Sequence, residues 1–178
     1  MDEIYIQDNF LNDAELIECN NIIQSNEWKW GNNYHIINDK QNCSSYIPFW
    51  SIDLIDNDYF SKYIFNNIEK HFSKRFNLIN VYAHAQSYGQ DDLYHTYDNG
   101  TNNFTFCLYL TNIIEDNIET AAGHIFFKFP NLKYKICYEP KYNRSIFFPS
   151  NYVYKETSFS RYIMDLKIYV TWKLEEIV

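Results

Sequence analysis

Residues 104–111 read Phe104-Thr105-Phe106-Cys107-Leu108-Tyr109-Leu110-Thr111, and this stretch alternates apolar and polar side chains without a break. Because successive side chains of a β-strand point to opposite faces, the even-numbered residues form an apolar face. The odd-numbered residues form a face of small polar groups and one tyrosine. Such a strand is typical of a barrel wall beside a polar pocket. His95 stands just before Asp98-Asn99-Gly100, a strong turn sequence that leads into this strand.

The remainder of the chain predicts two helices followed by short strands. Capping residues and apolar spacing indicate helices from Asn12 or Asp13 to Ser25 and from Asn57 or Asp58 to Phe76, after a short strand at Ile4–Ile6. The predicted strands are 79–87, 93–97, 104–111, 123–129, 133–139, 144–149 and 166–174. This order predicts an α+β chain with a β-sandwich or small-barrel core. We predict a single domain, 1–178, with helical support at 1–76 and the β core at 77–178.

The sequence also predicts two loops and the packing position of two tryptophans. Residues 31–47 are polar and irregular, which predicts a mobile or partner-facing loop, and the acidic residues 112–120 predict a loop over the barrel mouth. Trp28 and Trp30 are expected to seal the end of the first helix against the core.

Composition excludes several classes of protein. Aromatic residues make up 20% of the chain, which excludes disorder, and the formal net charge of -8 argues against a nucleic-acid partner. The acidic start lacks the features of a signal peptide, and no apolar run is long enough to span a bilayer, so we expect a soluble, cytoplasmic protein. Cys19, Cys43, Cys107 and Cys137 lie far apart in sequence, which favours reduced, mostly buried thiols over zinc or disulfides.

The second half contains several motifs in a fixed order. They are Ala121-Ala122-Gly123-His124-Ile125-Phe126-Phe127, Glu139-Pro140-Lys141-Tyr142-Asn143-Arg144-Ser145-Ile146-Phe147-Phe148 and Leu166-Lys167-Ile168-Tyr169-Val170-Thr171-Trp172. With the Asp8-Asn9-Phe10-Leu11 start, this order resembles the Fe(II)/2-oxoglutarate dioxygenases of the prolyl 4-hydroxylase type, including small versions carried by bacteriophages. The resemblance implies a double-stranded β-helix (jelly-roll) core with N-terminal supporting helices.

The same resemblance implies a metal site of two histidines and one carboxylate. His95 matches the first histidine, Tyr97 stands where the carboxylate would be, and Tyr154 best matches the second histidine. Asp98 would face the metal with His95 only if a bulge re-aimed its side chain. Three arrangements stay open. The tyrosines fill the vacated space and hydrogen-bond each other or His95; His95, Tyr97 and Tyr154 form a ferric tyrosinate site; or His95 and Asp98 hold a metal.

The resemblance also implies a site for the far carboxylate of 2-oxoglutarate. Lys167 matches the arginine that binds this carboxylate, with Tyr109 assisting and Thr105 nearby. Lysine keeps the charge of arginine but loses its bidentate geometry. His84 matches a pocket-lining position, and the alternative is a core histidine satisfied by Gln86 or a backbone group.

Three functions compete at this point. The loss of two of three metal ligands predicts a non-catalytic protein with no cofactor, acting in binding or assembly with a protein partner or a second copy of itself. A composition rich in Asn, Ile, Tyr and Lys, with the phage-like resemblance, suggests a phage particle component, located in the host cytoplasm or the virion. The alternative is an atypical hydroxylase that uses Fe(II) and 2-oxoglutarate on a peptide or small molecule. A small-molecule sensor that keeps only the acid site of Lys167 and Tyr109 is the third.

Overall fold

The computed structural model describes residues 4–31, 48–97, 100–113 and 121–177. In chain order the elements are β1 (Tyr5–Gln7), α1 (Asp13–Ser25), β2 (Lys29–Trp30), β3 (Trp50–Asp53), α2 (a π-helical stretch Tyr59–Ile64 continued by the α-helix Phe65–Phe72), β4 (Phe76–Gln86), β5 (Asn103–Tyr109), β6 (Ile125–Lys128), β7 (Lys135–Tyr138), β8 (Ser145–Pro149), β9 (Val153–Glu156) and β10 (Lys167–Glu176). None of the described helices has the length and apolar character required to cross a membrane.

The described strands form two antiparallel sheets that pack face to face. The larger sheet has the order β1-β8-β5-β10-β4-β3-β2, and the smaller has the order β7-β6-β9. His95 extends the smaller sheet through an isolated bridge to Tyr154 in β9. Side chains of both sheets share one buried cluster. This arrangement is a jelly roll, and it confirms the predicted α+β fold class.

Strands β5 and β10 separate the two halves of the core. Phe106 and Leu108 of β5, with Val170 and Trp172 of β10, pack in the cluster that the helices cover. The alternate residues Cys107, Tyr109 and Tyr169 belong to the cluster between the sheets. The predicted alternation of 104–111 is therefore confirmed, and its polar face lines the interior of the barrel.

The helices begin where the sequence indicates, but α2 ends early. Asn12 caps α1 through a capping box with Glu15. Ser73 ends α2 in a left-handed conformation, with φ of 52°. Phe76, predicted as the last helical residue, instead opens β4. The apolar spacing of Phe72 and Phe76 is helical, yet Phe76 packs in the same core from a strand.

The predictions include one strand that does not form and miss three strands that do. The predicted strand 93–97 reduces to the bridge at His95, and β9 was not predicted. The sequence of β9, Val-Tyr-Lys-Glu, has two charged residues among four, which is unusual for a strand with a buried face. The short strands β2, at the sheet edge, and β3, between β2 and β4, were also not predicted.

Some packing expectations fail at the surface. Trp28 packs against the main core, but Trp30 is 54% exposed, because β2 lies at the sheet edge, where the ring of Trp30 contacts that of Trp50 at 4.9 Å. Cys19 and Cys107 are buried, whereas Cys137 is exposed. Cys43 and most of the loops predicted at 31–47 and 112–120 lie outside the described residues.

Asn143 joins the N-terminal segment to the barrel. Its side-chain amide donates to the carbonyl of Leu11 at 2.7 Å and its side-chain oxygen accepts from the Leu11 N–H at 2.9 Å. Arg144 binds both carboxylate oxygens of Asp8, at 2.6 and 3.0 Å. The N-terminal segment 8–11 and the segment at Asn143 and Arg144, far apart in sequence, are therefore held together by these hydrogen bonds.

Asn143→Ala is expected to lower the free energy of unfolding by about 2–3 kcal/mol. The substitution leaves two buried backbone groups of Leu11 without their partners. It also places alanine at a φ of 58°, which disfavours residues with a Cβ atom. Urea unfolding measures the loss. Asn143→Gly, which removes the side-chain contacts but tolerates the φ angle, should recover about 1 kcal/mol. Equal stability of both variants and the unmodified chain would contradict the assigned role.

Candidate functional site in the barrel interior

His95 and Tyr154 form one wall of the barrel interior. Their backbones exchange two hydrogen bonds of 3.0 Å, and their rings pack with centroids 4.5 Å apart. His95 Nδ1 lies 2.8 Å from the carbonyl oxygen of Leu93 and 3.1 Å from a carboxylate oxygen of Asp92. Burial raises the pKa of Asp92, and the facing His95 opposes this shift. The structure thus brings together the matches to the two family histidines and adds Asp92, which the sequence did not indicate.

Lys173 is fully buried beside Tyr97 and Tyr154, which stand at two of the three positions matched to metal ligands. Its ammonium donates to the Tyr154 hydroxyl at 3.2 Å and to Thr105 Oγ1 at 3.0 Å, and it lies 4.0 Å from the centre of the Tyr97 ring. Burial lowers the pKa of Lys173 to about 7, against the opposing effects of Cys107 and Asp92. The ammonium is held by two hydroxyls and a ring face, with no carboxylate of the described residues in ion-pair distance.

Glu156 occupies the position between Lys167 and Tyr109. Lys167 Nζ donates to Glu156 Oε2 at 2.5 Å and to the Thr157 carbonyl at 2.7 Å, and the Tyr109 hydroxyl donates to Glu156 Oε1 at 2.7 Å. Both charged side chains are buried, with 0% and 2% exposure. Burial lowers the pKa of Lys167, and the Glu156 carboxylate acts in the opposite direction. The two residues predicted to bind an organic acid therefore bind a carboxylate of the chain itself.

The other predicted residues lie around these two clusters. His84 is buried, with Nδ1 3.3 Å from the Tyr169 hydroxyl, and burial with the nearby Lys173 lowers its pKa to about 3. His84 is therefore neutral at pH 7. Thr105 contacts Lys173 and Ser150. The His124 ring contacts that of Phe126, which lies on the outer face of β6. Asp98, the other predicted metal ligand, lies outside the described residues.

Little space is left inside the barrel. A cavity of about 10 Å³ lies between His84, His95, Tyr154, Glu156 and Tyr169. A space of this size accommodates at most a single water molecule. The interior is thus filled by the side chains of the chain.

Comparison with known proteins identifies the architecture. No family model matches the chain, and no curated protein sequence does so. Solved structures do match. A prolyl hydroxylase from Trichoplax adhaerens, in complex with a peptide of the hypoxia-inducible factor oxygen degradation domain, has a TM-score of 0.71 at 13% identity, over 97% of this chain and 83% of that one. This chain has the fold of the 2-oxoglutarate/Fe(II) oxygenases.

Two further oxygenase-fold structures cover nearly the whole of both chains. The Pseudomonas putida prolyl-4-hydroxylase has a TM-score of 0.63 at 13% identity, over 98% of this chain and 93% of that one. The viral collagen prolyl hydroxylase of Paramecium Bursaria Chlorella virus-1, solved with 2-oxoglutarate, has a TM-score of 0.54 at 20% identity, over 98% and 97%. The resemblance to prolyl hydroxylases inferred from the motifs therefore holds at the level of the fold.

The described residues do not fit the iron of the oxygenase fold. Within the described ranges, no group of three or more His, Cys, Asp or Glu side chains is placed to hold a metal ion. Tyr97 and Tyr154 offer phenols, and burial raises the pKa of Tyr154 well above its usual value, which opposes a tyrosinate ligand. The Tyr154 hydroxyl also accepts a hydrogen bond from Lys173. In its protonated form Lys173 repels a second cation at this position.

The described residues also do not fit 2-oxoglutarate in the usual place. A carboxylate already accepts the hydrogen bonds of Lys167 and Tyr109. A bound acid would have to displace Glu156 and leave its charge buried without a partner, which is energetically costly.

Sequence reasoning missed Glu156 and Lys173, the residues that fill the interior. Lys173 could have been found, because it lies six residues after Lys167 in one strand and so faces the same side. Glu156 could not, since β9 was not predicted and the direction of its side chain was therefore unknown.

Proposed function

We propose that this chain is a non-catalytic protein with the 2-oxoglutarate oxygenase fold, which acts through binding or assembly. The observation that carries the proposal is the contact of Glu156 with Lys167 and Tyr109. These are the two residues that the family resemblance assigns to the co-substrate's acid. Because Glu156 is held beside Lys167 and Tyr109 by the fold, an external carboxylate has to compete with it for these two residues.

The Lys173 ammonium supports the same proposal. It lies against Tyr97 and Tyr154, the residues at two of the three metal-ligand positions. The Lys173 amine and the Glu156 carboxylate thus occupy the space beside the residues that the resemblance assigns to the metal and the co-substrate. The contact of Glu156 with Lys167 also weighs against the sensor hypothesis, because a sensor needs its acid site open.

Metal and co-substrate binding test the proposal directly. We expect no stoichiometric iron after anaerobic incubation with Fe(II), no heat of 2-oxoglutarate binding in calorimetry with or without Fe(II), and no succinate. The viral collagen prolyl hydroxylase, which was solved with 2-oxoglutarate, is the matched positive control for calorimetry. Iron bound at micromolar affinity together with succinate formation would overturn the proposal and establish the atypical hydroxylase.

Assembly is tested by the size of the protein in solution. A binding or assembly role predicts a complex with a second copy or with another protein of the native source. Light scattering over a range of concentrations and affinity purification from that source provide the readouts. A monomer at every concentration, with no co-purifying protein, would contradict the assembly role. A place in a phage particle remains a prediction from composition and resemblance alone.

A further inference from the structure

The outer face of the small sheet carries a second concave site. A depression of about 500 Å³ lies there, lined by residues of β6, β9 and the loops beside them. Tyr154 and Glu156 of β9 are buried in the barrel, so the alternate residue Lys155 faces the opposite side. The depression is therefore separate from the barrel interior, and its volume lies within the range of about 300–1,000 Å³ typical of small-molecule sites.

Lys155 provides a positive charge in this depression. Its Nζ lies 5.5 Å from the centre of the Tyr94 ring and 5.6 Å from that of Phe126. No carboxylate of the described residues lies within ion-pair distance of it. Asp91, an acid that also lines the depression, accepts hydrogen bonds of 2.9 Å from both the N–H and the hydroxyl of Ser158. Such a cation favours a ligand that carries a negative charge.

An exposed aromatic ring and a hydrogen-bonded loop also border the depression. Tyr88 lines it and is 64% exposed, which leaves an aromatic face for stacking. The Gly89 N–H donates to Ser158 Oγ at 3.1 Å, so the loop that carries Tyr88 is tied to the segment after β9. The buried hydroxyl of Ser160, another lining residue, has no hydrogen-bond partner in the described part of the chain.

We propose that this depression binds a small anion carried on a planar ring. Lys155 binds the anionic group and Tyr88 stacks on the ring. Aromatic carboxylates and nucleoside monophosphates share this chemistry.

Titrations with paired probes test the proposal and separate the two sources. Benzoate is compared with neutral benzamide, and adenosine 5′-monophosphate with adenosine, by calorimetry and NMR chemical-shift changes on the full chain. We expect one of the anions to bind and its neutral analogue to bind at least about tenfold more weakly. The anion that binds identifies the carboxylate or the phosphate class.

Matched variants assign the site. Lys155→Met should weaken binding about tenfold, whereas Lys128→Met, the same change on an exposed lysine of β6, should leave it unchanged. Tyr88→Ala, at an exposed position, should weaken the ring-bearing anion and not affect inorganic phosphate. Absence of binding by both anions, or equal affinities of the two lysine variants, would overturn the proposal. Neither outcome depends on whether the barrel interior binds iron.

Discussion

Lys167→Met is expected to lower the free energy of unfolding by about 3–5 kcal/mol, a larger loss than that expected for Asn143→Ala. The reason is that Glu156, 2% exposed, would keep its charge in the barrel interior with Tyr109 as its remaining side-chain partner. Removing a single partner of a buried ion pair leaves an uncompensated charge, which costs more than the pair contributes. Urea unfolding at pH 7, followed by tryptophan fluorescence, measures the difference.

The double variant Lys167→Met/Glu156→Gln separates this cause from lost packing. It contains neither buried charge, so we expect it to recover most of the loss. Lys155→Met is the matched control, because it makes the same change one residue before Glu156, on the outer face, and should alter stability by less than about 1 kcal/mol. A double variant no more stable than Lys167→Met would contradict the assignment of an internal ion pair.

Lys173→Met is expected to stabilise the protein at pH 7 and to remove much of its pH dependence. The folded-state pKa of Lys173, about 7, lies below its unfolded value of about 10.4. Between these two values the unfolded chain binds one more proton than the folded chain, so the free energy of unfolding rises with pH. The contribution of this group approaches about 1.4 kcal/mol per pH unit. Below pH 7 both states hold the proton, and the full cost of burying the charge is present.

Unfolding curves from pH 6 to 9.5 check this prediction. The variant should be more stable than the unmodified chain at pH 6–7, and the difference should shrink as the pH rises. Lys167 also has a lowered pKa, but it is present in both proteins, so the comparison isolates Lys173. Lys62→Met, at a side chain that is 69% exposed, should give a profile parallel to that of the unmodified chain. A parallel profile for Lys173→Met would contradict a buried ammonium.

The two lysines of β10 show how much of a site strand periodicity can predict. Their common face follows from the sequence, since residues an even number apart in a strand point the same way. Their different partners do not follow. Lys167 binds a carboxylate and Lys173 binds hydroxyls and a ring. These partners come from β9, β5 and the segment at Tyr97, and strand periodicity does not say which of them faces which lysine across the barrel.

The sequence by itself determined the jelly-roll fold, the two faces of β5, the first helix and the lining positions His95, Tyr109, Tyr154 and Lys167. These features depend on local periodicity, capping and the order of motifs, all of which can be recognised in the sequence without knowledge of tertiary contacts. Only the tertiary structure decided that Glu156 lies between Lys167 and Tyr109 and that Lys173 lies between Tyr97 and Tyr154. The physical reason is that a charge can be buried only where a suitable partner faces it across the barrel. Strand β9 has four residues, two of them charged, and its inward face is set by its pairing with β6 and His95.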